Sequence, residues 1–332
     1  MQDKSTLENG LQSLRDLAAP IELTYHPASS ETPFARQLKA FATKIGNEGG
    51  SSIAVLEGDG RAMLAQPGLT LGYRGQNNIN YLAVPDGPEA PPFFEALIRL
   101  GKGSPASDDG LGKMLQEIGR PAELLVFIAP TCPHCPGAVR IANRIALLSN
   151  NVKTTIIDVQ QFPKLAEPYS VQSVPLTVLD GQLSITGIVQ AETLVSHILS
   201  RDSDEFDTRV FQLMVEEGRL NDAKDQIRKG NGSVHFVSLW EKSTTALRIG
   251  LLMLAEETLD EDNRALDGII PRLFPLLRSE DAALRGDTVD LLSQIGHESA
   301  IKEIEPLFND PNPDVAEIAE EALEEIKSRL DE

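Results

Sequence analysis

The sequence has 332 residues, of which 50 are acidic and 30 basic, giving a formal net charge of -20 and a pI near 4.7. At roughly 150 residues per domain, this length predicts two or three domains. The negative charge excludes a chain built to hold nucleic acid, because phosphate backbones are bound by Lys and Arg. No run of about 20 apolar residues exists to cross a membrane, which excludes an integral membrane protein. The charge is uneven: residues 1–200 hold 19 acidic and 15 basic residues, and residues 201–332 hold 31 and 15.

The two cysteines, Cys132 and Cys135, lie three positions apart. That spacing is unlike the disulfide framework of a secreted protein and is typical of a single redox or metal device in a reducing compartment. Residues 1–8 have neither the basic nor the apolar segment of a signal peptide. We therefore expect a cytoplasmic protein.

The first 105 residues predict an α/β unit. Apolar runs of strand length lie at residues 21–25, 52–56 and 69–73, and a helical pattern covers residues 92–100.

Signals are sharper from residue 123 onward. The apolar run 123–129 predicts a buried strand that leads into Thr131-Cys-Pro-His-Cys-Pro136, and helical spacing begins at Gly137. The cysteines therefore lie where a strand turns into a helix. The later predicted elements are a strand at 152–159, a short helix at 161–169, a strand at 175–179, a type I′ turn at Asp180-Gly181, a strand at 183–188 and a helix at 191–199.

The two segments share a plan. With Pro27 aligned on Pro130, an offset of 103 without gaps, Ser29 takes the position of Cys132 and Thr32 that of Cys135. Residues 1–105 are then a copy whose cysteines are replaced by hydroxyl residues, either a vestigial site or simply a helix N-cap. The alternative is two unrelated α/β domains with coincident prolines.

The acidic end of the chain predicts helices. Eight positions, beginning with Leu273 and ending with Ile295, recur 31 residues later with similar apolar character, and a weaker copy around Trp240 precedes them. A period of this length is typical of stacked helix pairs, and the units resemble HEAT-like repeats.

The chemistry of the pair follows from its position. A thiolate is the reactive form of cysteine, and unpaired N–H groups at a helix N-terminus favour an anion there. His134 lies between the cysteines, and no acidic residue occurs from Leu124 to Ile157, so we expect a positive setting and a lowered thiol pKa. Cys132 is the expected attacking thiolate, and Cys135, one turn further on, the resolving thiol.

Residues 126–136 and Val174-Pro175, with the duplicated plan, resemble the tandem thioredoxin-fold protein disulfide oxidoreductases, also called glutaredoxin-like proteins. They are also similar to the N-terminal domain of the alkyl hydroperoxide reductase flavoprotein. The implied fold is α/β: a thioredoxin-like domain without the cysteine pair (1–105), a redox-active thioredoxin-like domain (106–200) and acidic HEAT-like helical repeats (201–332).

The resemblance assigns further residues. It implies that Pro175 is a cis-proline beside the cysteines, with Pro67 as its candidate counterpart, and that Pro133 and Val174 contact the substrate. Val126 stands where thioredoxin keeps a buried Asp. The resolving thiol would then need another proton acceptor, with water or Glu123 as candidates.

The favoured function is a cytosolic thiol–disulfide oxidoreductase that reduces or exchanges disulfides of a protein substrate or a peroxidase. Its electron donor would be a thioredoxin reductase-like flavoprotein, and its repeats would recruit a protein partner. Without a Gly-x-Gly-x-x-Gly motif, the chain is expected to bind neither FAD nor NAD. A zinc site is disfavoured because no second cysteine pair exists. The alternative is a non-enzymatic scaffold whose repeats bind a partner.

Overall fold

The computed structural model describes residues 21–28, 31–58, 66–102 and 110–330, together with Gly10, Gln12 and Leu14. The chain divides into two units, Met1–Asp202 and Ser203–Glu332. A sheet with flanking helices forms the first unit, and the second is helical over its described residues. The predicted class, an α/β region followed by an all-α region, is confirmed.

One eight-stranded sheet runs through the first unit. Its strands are β1 (Ile21–His26), β2 (Ile53–Glu57), β3 (Gly68–Tyr73), β4 (Gln76–Leu82), β5 (Ala122–Ile128), β6 (Val152–Asp158), β7 (Leu176–Leu179) and β8 (Leu183–Thr186). The helices are α1 (Pro33–Gly49), α2 (Ala90–Gly101), α3 (Gly110–Gln116), α4 (Cys135–Leu148), α5 (Pro163–Ala166) and α6 (Ala191–Leu199).

The strand order is β2-β1-β3-β4-β6-β5-β7-β8. In each half the first strand pairs parallel with the second and antiparallel with the third, and the third pairs antiparallel with the fourth. The halves join where β4 pairs parallel with β6. Leu124, Val126 and Phe127 of β5 are fully buried, as expected for a strand covered on both faces.

Strand β4 is the element that the sequence pattern missed. Its first half is polar, because Gln76 and Asn78 bond to the C-terminal end of α4. The Asn78 side-chain amide donates to the carbonyl oxygens of Ala146 (2.7 Å), Ser149 (3.0 Å) and Val152 (2.6 Å). The first half of the sheet thus holds the end of the helix that begins at Cys135.

The second unit contains α7 (Asp204–Glu216), α8 (Leu220–Arg228), α9 (Gly232–Lys242), α10 (Thr245–Glu261), α11 (Ile270–Leu273), α12 (Ala282–Ile295), α13 (Ile301–Ile304) and α14 (Pro313–Leu330). Short 3-10 turns flank α11 and α13, which carry prolines or are followed by them. Of the positions that repeat after 31 residues, all are buried in both copies except Phe308, which is 38% exposed. No helix among the described residues is both long and apolar enough to cross a bilayer.

Candidate functional site

Cys132 and Cys135 form a disulfide at the junction between β5 and α4. The buried strand ends at Ile128, and the N–H of Cys132 donates to the carbonyl of Ala129 at 3.0 Å, closing the turn. Helix α4 then begins at Cys135 itself. Pro136 fits the first helical turn because its missing N–H would have no intrahelical partner there.

The two sulfurs differ in environment. Cys132 is 8% exposed and Cys135 is completely buried. The N–H of Cys135 lies 3.1 Å from Sγ of Cys132, and that sulfur lies 3.5 Å from the carbonyl oxygen of Val174. A disulfide sulfur carries no hydrogen, so it accepts from the N–H and only contacts the carbonyl.

His134 occupies the N-cap position of α4, but its imidazole bonds to none of the first helical N–H groups. The side chain is exposed, and it is the carbonyl of His134 that accepts from the N–H of Gly137 at 3.1 Å. Pro133, beside it, is also exposed. In this oxidised state the sulfur of Cys132 is contacted by backbone N–H rather than by the imidazole.

The Val174–Pro175 peptide bond is cis. Pro175 is buried, and its carbonyl accepts from the N–H of Gly187 at 2.8 Å. With the carbonyl of Val174 at the Cys132 sulfur, the structure brings together the cysteine pair and the loop before β7. The predicted cis-proline is confirmed.

Pro67 is not the counterpart of Pro175. The bond before Pro67 is absent from the cis peptides of the described residues. Strand register gives the reason: Thr24 pairs with Thr70, whereas its aligned residue Phe127 pairs with Leu176. The position equivalent to Pro175 is therefore Leu69, two residues after Pro67.

The expected positive setting of the cysteines is largely neutralised in space. Arg140 pairs with Glu95 of α2 at 2.9 Å, and Lys153 pairs with Glu123 at 3.2 Å. The acid-free stretch of sequence thus meets acidic residues from elsewhere in the unit. Glu123 lies near the start of β5, at the opposite end of the strand from the cysteines, and is wrongly placed to accept a proton from Cys135.

Two relevant residues gave no signal in the sequence. Ile188, 50% exposed, follows β8 and contacts α4 so closely that a Cβ on Gly137 would lie 2.6 Å from its Cδ1. Glu89, 3% exposed, has no hydrogen-bond partner for either carboxyl oxygen among the described residues. Burial raises the pKa of Glu89 to about 7, although Arg140 of α4 opposes the shift.

The first half carries a cap where the second carries the resolving cysteine. Oγ1 of Thr32 accepts from the N–H of Ala35 at 3.1 Å at the start of α1. The N-cap interpretation of Thr32 is confirmed. Ser29 lies outside the described residues.

Comparison with known proteins places this site in a family. Residues 122–200 match the thioredoxin domain family. A thioredoxin of Methanocaldococcus jannaschii is 34% identical over 77 residues, which are 23% of this chain and 91% of the relative. An alkyl hydroperoxide reductase flavoprotein of Pseudomonas aeruginosa is 25% identical over 160 residues, which are 47% of this chain and 30% of the relative. The chain thus spans less than a third of that second protein.

Two solved structures share the fold of the first unit. The NTD_N/C domain of alkyl hydroperoxide reductase from Enterococcus faecalis has a TM-score of 0.51 and 20% identity, over 59% of this chain and 98% of that one. A protein disulfide oxidoreductase from Aeropyrum pernix has a TM-score of 0.52 and 19% identity, over 60% and 94%. With its cysteine pair at the start of α4 and nine-tenths of a 34% identical thioredoxin matched, the chain belongs to the thioredoxin family.

Proposed function

We propose that the chain is a thiol–disulfide oxidoreductase that reduces or exchanges disulfides of protein substrates through Cys132 and Cys135. The observation that carries the proposal is the disulfide at the N-terminus of α4, beside the loop that ends in Pro175. Membership of the thioredoxin family supports the same chemistry. The redox group is the cysteine pair itself, with no bound cofactor required.

In the reducing direction, the Cys132 thiolate attacks one sulfur of the substrate disulfide. A Cys132–substrate disulfide forms, the substrate bond breaks, and the departing thiolate takes a proton. Cys135 then loses its proton and attacks Sγ of Cys132, which forms the Cys132–Cys135 disulfide and releases the second substrate thiolate. The substrate gains two electrons and the pair loses two.

The two roles follow from exposure. Cys132 has the accessible sulfur, and the N–H of Cys135 is placed to stabilise a thiolate there. Cys135 is fully buried, so an external disulfide cannot reach it first. This supports Cys132 as nucleophile and Cys135 as resolving thiol, with His134 as a further source of positive charge.

A substrate segment would lie across the loop before β7. Val174 is partly exposed there, and its backbone is available to an extended chain, as in strand addition. Exposed Pro133 on one side and Ile188 on the other supply apolar contacts. We assign Pro175 the role of holding this loop against the cysteines.

The rest of the chain would serve this site. The shared strand pairing of the two halves supports two tandem thioredoxin-like copies, of which 106–200 is redox-active. Arg248 and Arg285, 37 residues apart, each donate to a carbonyl five residues earlier and pair with an acidic residue further along. This recurrence supports HEAT-like units in residues 201–332, which we propose recruit a protein partner.

The electron donor would be a thioredoxin reductase-like flavoprotein. The likeness to the alkyl hydroperoxide reductase flavoprotein supports a donor of that kind, and a peroxidase is among the candidate substrates. We place the reaction in the cytoplasm, where the pair would be kept reduced.

Reduction of insulin disulfides with dithiothreitol as electron source tests the proposal. Cys132→Ser should abolish the catalysed rate, and Cys135→Ser should accumulate a mixed disulfide with the substrate. Asn77→Ala, at an exposed site, serves as the matched control. An unchanged rate in Cys132→Ser would show that the pair is not the catalyst.

A scaffold is the second candidate, favoured by the charge of residues 201–332, where acidic residues outnumber basic ones by 31 to 15. Stacked helices make extended binding faces. A full chain with both cysteines replaced by serine would then capture the same partner as the wild type. Capture that depends on the cysteines would contradict a purely structural role.

A further inference from the structure

Helix α10 has an apolar pair on its outer face. Its inner face is buried through Leu247, Leu251 and Leu254, whereas Ile249 is 56% and Met253 is 52% exposed. These are the two most exposed large hydrophobic side chains among the described residues. A spacing of four residues places them side by side on the helix surface.

Unpaired carboxylates continue this face. Glu256 and Asp260 follow Met253 by about one and two turns, are exposed, and have no ion-pair partner among the described residues. They line a cavity of about 780 Å³ whose guanidinium groups are already engaged, Arg264 with Asp267 and Arg329 with Glu325.

The neighbouring helix α12 adds negative charge. Arg248, next to Ile249, reaches Asp287 of α12 at 2.6 Å, which fixes the two helices side by side. One turn beyond Asp287 lies Asp290, whose carboxylate pairs with no cation in the part of the chain that the structure describes. Desolvation, together with nearby Glu325 and Asp287, raises the pKa of Asp290 above its usual range. Carboxylates are thus crowded beside the apolar pair without enough cations to balance them.

We propose that this face of α10 docks a basic amphipathic helix of a partner protein. The partner's apolar residues, four apart, would cover Ile249 and Met253, and its Lys or Arg side chains would meet Glu256, Asp260 and Asp290. An apolar stripe flanked by basic residues is the complement of the surface described. The inference rests on the recruiting role proposed above and is independent of the redox reaction.

The test is fluorescence anisotropy on the full-length chain with two synthetic 18-residue peptides of lysine and leucine. In the first peptide the leucines recur on one helical face, and in the second the same residues are spread around the helix. We expect the first to bind at least about tenfold more tightly. Ile249→Ser with Met253→Ser should remove that preference, whereas Val234→Ser, at another exposed apolar site of α9, should keep it.

Glu256→Gln with Asp260→Asn should weaken binding several-fold and flatten its dependence on salt. Equal binding of the two peptides, or an unchanged affinity in the Ile249/Met253 variant, would overturn the proposal. So would sedimentation showing a wild-type dimer that this variant dissociates, because a second copy would then cover the face. Insulin reduction should be unaffected in every variant, so failure of docking is distinguishable from failure of the proposed catalysis.

Discussion

The backbone N–H of Cys135 lies 3.1 Å from Sγ of Cys132. This contact places the more exposed sulfur at the N-terminus of α4, where backbone N–H groups lack intrahelical partners. When the disulfide is reduced, the same N–H is positioned to donate to a thiolate on Cys132. Since charge-assisted hydrogen bonds are stronger than neutral ones, the contact favours ionisation of that thiol.

We therefore expect the reduced Cys132 thiol to have a pKa well below the ordinary ~8.5, within roughly 3.5–7.5. The measurement is thiolate absorbance against pH in Cys135→Ser, which leaves a single thiol and keeps the backbone N–H. His134→Ala should raise that pKa by less than about one unit, because the imidazole bonds to none of the helix N–H groups. A titration midpoint at or above ~8.5 would contradict the assigned role of the helix terminus.

Glu89 makes stability depend on pH. Burial raises its pKa from 4.5 to about 7, so the folded chain binds a proton that the unfolded chain has released. Its contribution is complete below pH 4.5 and is lost as the pH rises through about 7, at a cost on the order of 3 kcal/mol.

Glu89→Gln should therefore be more stable than the wild type above pH 7, and the difference should vanish toward pH 4.5. Urea denaturation at several pH values measures it. Glu117→Gln, which alters an exposed carboxylate, should follow the wild-type profile throughout. A pH-independent difference between Glu89→Gln and the wild type would show that the buried carboxyl is already ionised at low pH.

Asn78 links β4 to the C-terminal end of the helix that begins at Cys135. Its side-chain amide donates to three carbonyls of that end. Asn78→Ala leaves these buried acceptors unsatisfied and should lower the free energy of unfolding by about 1–3 kcal/mol. Asn77→Ala, at an exposed neighbour, should change it by less than ~0.5 kcal/mol. Equal losses in the two variants by urea denaturation would refute the capping role.

Local signals predicted the elements that carry the site. The apolar run of β5 and the prolines at the motif located the cysteines at a strand-to-helix junction, and helix 191–199 was predicted with its observed bounds. Asp180 and Gly181 have φ of 49° and 71°, as the predicted type I′ turn requires.

The misses are non-local. Asn78 is polar because its partners lie about 70 residues away, which gave β4 the sequence pattern of a loop. Likewise, the acid-free sequence around the cysteines gave no sign that Glu95 would neutralise Arg140. Charge along a sequence is not charge in space.

A buried ion pair joins successive helices of the second unit. Arg285 of α12 meets Asp310 at 2.7 Å, and their side chains are 10% and 3% exposed. Arg285→Ala leaves the Asp310 carboxylate buried without its cation and should lower the free energy of unfolding by about 3–5 kcal/mol. Arg278→Ala, which breaks an exposed pair with Glu303, should cost less than ~1 kcal/mol. Adding Asp310→Asn to Arg285→Ala should recover part of the loss, because no uncompensated charge then remains. If chemical denaturation shows similar losses for Arg285→Ala and Arg278→Ala, the pair does not hold these helices together.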